Sequence, residues 1–261
     1  MVRVFKYQRF LKHTNKAMNI DKRQRQMIRE ALTERLSSNM VQIKGYVYPF
    51  RMNKFQLTQE EYCAIMDIDE IKVSSVELEG ARFPYFTDKW VMYSKAPNKG
   101  QKTKAISDLL EALNKLTSHH FRLPTVNEWE FVASCGGKYP DLTNEKYYHR
   151  EVGMGEPNEL GIYNMFENGL HLCSVIPEAT DASDLFYIGK GGNKIDINRF
   201  DVTNFYTYDQ RTFLPATIRL VESEISLNNI AERHPEIERD IERSLDRSED
   251  RYEEYRRDWE H

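Results

Sequence analysis

The sequence predicts an α+β fold, and three observations carry that expectation. A short strand ending at Leu123 runs straight into a capped helix; one amphipathic helix precedes this unit and a second follows it; and the chain is rich in aromatic residues. Of its 261 residues 12% are aromatic, including 15 Tyr and 13 Phe, enough for a sizeable core despite 30% charged residues. Runs of about 18 apolar residues are absent, so no membrane-spanning helix is expected.

In chain order the first element is a helix. Asp21 is placed to cap it, Met27, Ile28, Ala31, Leu32 and Leu36 form an apolar stripe, and Ser37-Ser38-Asn39 ends it. Arg23, Arg25, Arg29 and Arg35 occupy its other faces. From Met1 to Lys44 eleven Lys and Arg stand against three acids, a net +8. Clustered guanidinium groups suit phosphates, so nucleic-acid contact through this arm is one reading. The segment has neither a nucleic-acid-binding motif nor interleaved aromatics, and packing on the body or on a partner is the expectation.

The central unit reads from Phe121 to Gly137. Phe121 and Leu123 end a strand, Pro124 excludes helix behind it, Thr125 stands at an N-cap, and Glu128 three residues on completes a capping box. Trp129, Val132 and Ala133 then recur at helical spacing, and Gly136-Gly137 stop the helix. The last element is the clearest helix. Pro235 suits a first turn, and Ile237, Ile241, Leu245, Tyr252, Tyr255 and Trp259 follow at spacings of 4, 4, 7, 3 and 4. Residues 223–261 carry seven Arg against thirteen acids, a net −6. Such a helix is too charged to bury on all sides, so its stripe is the candidate binding surface, covered by the body, a second copy or another protein.

The central unit, with Arg122, Leu123, Pro124, Thr125, Glu128, Trp129, Gly136 and Gly137, resembles the R-L-P-T-x-x-E-W-E-F/Y-A-A-x-G-G signature of formylglycine-generating-enzyme-like (sulfatase-modifying factor) domains. Lys54 to Met66 is similar to that family's opening strand and helix, and Lys104 to Thr117 to the helix before the signature. Gly161-Ile162-Tyr163-Asn164-Met165-Phe166-Glu167-Asn168-Gly169 resembles its G-L-Y-D/N-M-x-G-N-V segment, Gly191-Gly192 its R-G-G-S-W turn, and Ile218-Arg219-Leu220-Val221 its closing strand. The resemblance implies a C-type-lectin-like α+β fold with long loops, here Ala81 to Lys102 and Tyr139 to Pro157. It divides the chain into a basic N-terminal arm with an amphipathic helix (1–45), the lectin-fold domain (46–222) and an acidic amphipathic C-terminal helix (223–261).

The functional residues of the resembled family do not carry over. Its catalytic members bind copper through a cysteine pair between the R-G-G turn and the closing strand, and Asn193 to Thr217 contains no cysteine. The three cysteines are Cys63, Cys135 and Cys173, none at the catalytic position. The family's calcium run would align Asn168 with its asparagine, but places His171 where a carboxylate belongs, and imidazole is a poor calcium ligand. The run's tryptophans are absent, so Leu170 and Leu172 are expected to rebuild the core there. His119 and His120 are the only neighbouring histidines among seven, and adjacent residues point to different faces. No metal and no cofactor are therefore expected.

The expected function is that of a pseudoenzyme: a non-catalytic structural or protein-binding component of a larger assembly, such as a virion or other multi-protein particle, using loops and terminal helices as interfaces. Partners are other proteins or a second copy, with no membrane. The charged N-terminus, without a signal-peptide pattern, and the odd cysteine count place it in the cytoplasm or in a particle assembled there. The alternative is an oxidoreductase with a divergent site, using Cys173 and His171, which share one face of a strand.

Overall fold

The computed structural model describes residues 17–72, 80–87, 106–138, 150–174, 187–191, 205–207 and 216–223. In chain order the elements are β1 (Ala17–Asn19), α1 (Lys22–Ser38), β2 (Met40–Ile43), β3 (Phe50–Gln56), α2 (Gln59–Met66), β4 (Glu70–Lys72), β5 (Phe86–Thr87) and α3 (Ile106–Thr117). They continue with β6 (Phe121–Arg122), α4 (Val126–Ala133), β7 (Leu170–Ser174), β8 (Tyr187–Lys190), β9 (Phe205–Thr207), β10 (Ala216–Thr217) and β11 (Arg219–Glu222). The stripe from Ile237 to Trp259 and most of Asn193 to Thr217 lie outside the described residues.

Local capping chemistry sets where the helices begin. Asp21 accepts from the Gln24 N–H at 2.8 Å and opens α1, while Asn39 closes it by donating its backbone N–H to Leu36 and Ser37. Thr58 and Glu61 form a capping box on α2, and Thr125 and Glu128 form another on α4. The α1 stripe is narrower than its sequence suggests. Ile28, Leu32 and Leu36 are buried, one per turn at i, i+4 and i+8, whereas Met27 stands off that line and is 60% exposed. The end of α4 also falls earlier than its glycines. The left-handed turn starts at Cys135 (φ 53°), and Gly136 and Gly137 continue it at 79° and 91°.

Three sheets are formed among the described residues: β1-β4, the five-stranded β5-β10-β7-β8-β9, and the four-stranded β2-β3-β11-β6. The basic segment up to residue 45 supplies α1 and β2 to this body, because β2 pairs along β3 from Met40↔Asn53 to Ile43↔Phe50. The alternation of strand side chains then divides the core in two. Ile218 and Leu220, with Leu57, Leu170 and Leu172, pack on the side of α1, α2 and α3. Val221, Phe50, Met52 and Cys173 pack on the side of α4, around Trp129. Leu170 and Leu172 thus fill the core as expected. Gly191, after β8, closes the second core: at φ +105° a Cβ there would meet the Met165 carbonyl oxygen at 3.0 Å and Trp129 Cζ2 at 3.3 Å.

Trp129 has no exposed surface and touches Phe166 and His171 edge-on. Trp129→Ala is expected to cost about 3–5 kcal/mol through lost burial and the cavity left behind. A urea titration reads this directly, and a loss below about 1 kcal/mol would mean that α4 does not anchor the second core.

Candidate functional site

Two buried polar clusters occupy the positions that the signature motifs predicted. The first centres on Glu128, which is fully buried. Its carboxylate accepts from Arg122 Nη2 at 2.6 Å and Nη1 at 2.7 Å, from the Thr125 N–H at 2.8 Å and from Tyr48 Oη at 2.9 Å. One side chain therefore completes the α4 cap and ties it to β6 and to the turn before β3. Burial, and next the negative charge of Glu128, push the Tyr48 phenol far above its ordinary range, so Tyr48 remains a donor. Leu123, Pro124 and Thr125 are buried beside it.

The second cluster centres on His171 and Arg219, both fully buried. Trp129 Nε1 donates to His171 Nδ1 at 3.0 Å, which leaves the ring proton on Nε2, 3.1 Å from the Asn164 carbonyl oxygen. Gln56 Nε2 lies 3.0 Å from that same nitrogen and donates to Thr217 Oγ1 at 2.9 Å. Arg219 Nη1 donates to the carbonyls of Asn53 and Lys54, Nη2 to that of Tyr163, and Nε lies 3.4 Å from His171 Nδ1. Asn168, held at φ 61°, accepts from the Arg150 N–H at 2.8 Å and donates to Gln56 Oε1 at 3.1 Å. On the same side, Lys190 is buried against Glu130 at 2.5 Å and lies over the Trp129 ring.

These arrangements do not fit the ions of the resembled family. A calcium ion needs several free oxygen ligands. The Asn168 oxygen already accepts a backbone N–H, and His171 offers a ring locked between Trp129 and Asn164. Copper bound by a cysteine pair needs two thiolates, and Cys63, Cys135 and Cys173 are buried free thiols on three different segments. Burial pushes Cys63 up to about 12 and Cys173 well above its ordinary value. Cys173 and His171 share a strand face, but the Cys173 sulfur donates to the His171 backbone carbonyl at 3.8 Å. His119 sits 2.5 Å from Glu222 while His120 is exposed, so the two histidines do not converge. Among the described residues no group of three His, Cys, Asp or Glu is arranged to hold a metal ion, and no helix is long and apolar enough to cross a membrane.

Two features escaped sequence reasoning. Three arginines of α1 are engaged with the body: Arg25 and Arg29 each lie 3.5 Å from Asp67, and Arg35 lies 2.8 Å from Glu60. A cleft of about 300 Å³ also opens beside Arg35, Asn39, Asn53 and Glu60, assembled from α1, α2 and β3.

Burial, and next the positive charge of Arg219, hold the His171 imidazole well below its ordinary value, so it stays neutral in the folded chain. The unfolded chain takes up that proton near pH 6.5, so stability falls as pH drops below this value, by about 1.4 kcal/mol per pH unit for one proton. Glu61, raised by burial, works in the opposite sense because its folded form binds a proton more readily. Comparison with His171→Gln isolates the histidine: urea titrations between pH 7 and 5 should show a shallower decline in the variant. Equal slopes would contradict a neutral buried His171.

The sequence model of the sulfatase-modifying factor enzyme 1-like domain matches residues 10–217. Among solved structures the chain is similar to CarF, at 16% identity over 70% of this chain and 89% of that one, with a TM-score of 0.46. It is similar to Treponema denticola variable protein 1, at 15% identity over 70% and 94%, with a TM-score of 0.46. It is also similar to PvdO from Pseudomonas aeruginosa, at 15% identity over 68% and 82%, with a TM-score of 0.48. No curated protein matches the chain in sequence. With a family match over well more than half of its length and the signature residues in place around Glu128 and Trp129, the chain belongs to the sulfatase-modifying factor enzyme 1-like family.

Proposed function

We propose that this chain is a non-catalytic member of its family, a lectin-fold platform that binds other proteins within a larger assembly such as a virion or another multi-protein particle put together in the cytoplasm. The observation that carries this reading is the cysteine-free segment from Asn193 to Thr217. An oxidase of the resembled kind needs a thiolate pair there to hold its metal, and no other side chain supplies that sulfur. The cysteines that the chain does have are buried thiols, with Cys63 and Cys173 both raised by burial, which disfavours an improvised nucleophile. Interfaces then fall to loops and termini. The stripe from Ile237 to Trp259 is apolar, ends in aromatics of the kind enriched at interfaces, and lies beyond the family match. Nucleic-acid contact through α1 is disfavoured, since Arg25, Arg29 and Arg35 already face carboxylates.

The purified chain should not convert the cysteine of a sulfatase peptide to formylglycine, with or without copper; mass spectrometry of the peptide checks this, and an aldehyde-forming mass loss would overturn the non-catalytic reading. Deleting Pro235 to His261 should leave the body folded and abolish entry into the native particle. Light scattering on the purified complex and a thermal melt of the isolated chain separate the readings. A truncated chain that still assembles, yet melts lower by several degrees as expected for a loss of a few kcal/mol, would place the stripe on its own body.

A further inference from the structure

The cleft between α1, α2 and β3 has a composition that no part of the assembly reading uses. Its volume, about 300 Å³, lies at the lower end of small-molecule sites. The floor is apolar, formed by Leu36, Leu57, Val152 and Leu220, all buried. The wall is polar and carries two groups whose hydrogen-bonding capacity the chain leaves open. Asn53, only 4% exposed, accepts from the Phe55 N–H at 3.0 Å through its side-chain oxygen, and its amide N–H2 group has no partner among the described residues. Asn39 is the converse: its amide donates to the Arg35 carbonyl at 2.8 Å, and its side-chain oxygen has no partner among the described residues. Both groups line the cleft, where a solvent molecule or a ligand can meet them.

Charge narrows the ligand further. Glu60 and Glu61 share the single guanidinium of Arg35, at 2.8 and 3.5 Å, so the Glu60 carboxylate, the closer of the two, is not matched by an arginine of its own. Arg82 stands at the rim, largely exposed and 3.7 Å from Glu151. An acceptor-rich wall, an open amide donor and an apolar floor describe an ammonium next to a carbonyl on an apolar stem. We propose that the cleft binds a free α-amino group bearing an apolar side chain, as in an apolar amino acid or the first residue of a peptide. The ammonium meets Glu60 and the Asn39 oxygen, the adjoining carbonyl meets the Asn53 amide, and the side chain rests on Leu57 and Leu220. Such a site operates whether or not the chain assembles with partners.

Calorimetric titration of the full chain with L-leucinamide, leucyl-glycine, L-leucine and N-acetyl-leucinamide tests this. Leucinamide and leucyl-glycine should bind saturably and N-acetyl-leucinamide roughly tenfold more weakly or not at all, since acetylation removes the charge and blocks the amine. Leucine binding as well as leucyl-glycine assigns a free amino acid as the ligand; leucyl-glycine binding roughly tenfold tighter assigns a peptide terminus. Glu60→Gln keeps the shape of the side chain and should weaken leucinamide roughly tenfold with little change in the thermal melt. Equal binding of the acetylated compound, no saturable heat from any compound at millimolar concentration, or undiminished binding to Glu60→Gln would each overturn the proposal. Should Glu60→Gln not fold, the acetylation comparison on the unmodified chain decides alone.

Discussion

The fold depends on one buried cation. Arg219 has no exposed surface and, among the described residues, no carboxylate partner; its guanidinium is held by the carbonyls of Asn53, Lys54 and Tyr163 and lies against His171. Burial pushes its pKa down to about 9, so the side chain is charged at neutral pH and needs every one of those acceptors. They come from β3, from the turn around Tyr163 and from β7, while Arg219 itself begins β11. A single side chain thus joins the four-stranded sheet to the five-stranded one; removing it would take a donor from three interior carbonyls, of which that of Lys54 still receives the Tyr163 N–H.

Trp129 depends on the same centre. Its indole N–H reaches His171 Nδ1, so the ring must be neutral and protonated on Nε2, and both Arg219 and burial favour that state. Glu128, one residue earlier on α4, faces the other way and gathers Arg122, Tyr48 and the Thr125 cap. The two clusters fix the first turns of a helix only eight residues long, too short to be stable by itself. Asn168 and His171, aligned with calcium ligands of the resembled family, serve here as structural hydrogen-bonding groups. An interior so fully committed to holding itself together leaves surfaces, clefts and termini as the places for recognition, which is consistent with the proposed role as a platform.

Capping residues and strand-to-helix punctuation were legible in the sequence because they act within four residues of chain. Asp21, the Thr125–Glu128 box and the interruption at Pro124 read correctly for that reason, and Arg219 was marked by its motif. Less legible was anything that required a second segment. Met27 belonged to the α1 stripe by periodicity, yet α2 and α3 cover only the line through Ile28, Leu32 and Leu36. The Arg35–Glu60 pair joins residues 25 apart, and Arg51–Glu222 joins residues 171 apart. The cleft is likewise built from α1, α2, β3 and the turn at Arg82, none of which signals it separately.

The sequence by itself determined the α+β class, the helix starts, the family and the lack of a cysteine pair at the resembled catalytic position, since each of these is written in short motifs or in the presence of a particular atom. Only the tertiary structure decided that the basic helix and its following strand belong to the body, that Asn168 and His171 are partners of Gln56 and Trp129, and that Asn53 lines a cleft with an amide that has no partner among the described residues. The physical reason is that a buried polar group takes whichever partner long-range packing brings within hydrogen-bonding distance, and that choice depends on strand order and register rather than on the residues beside it in the chain.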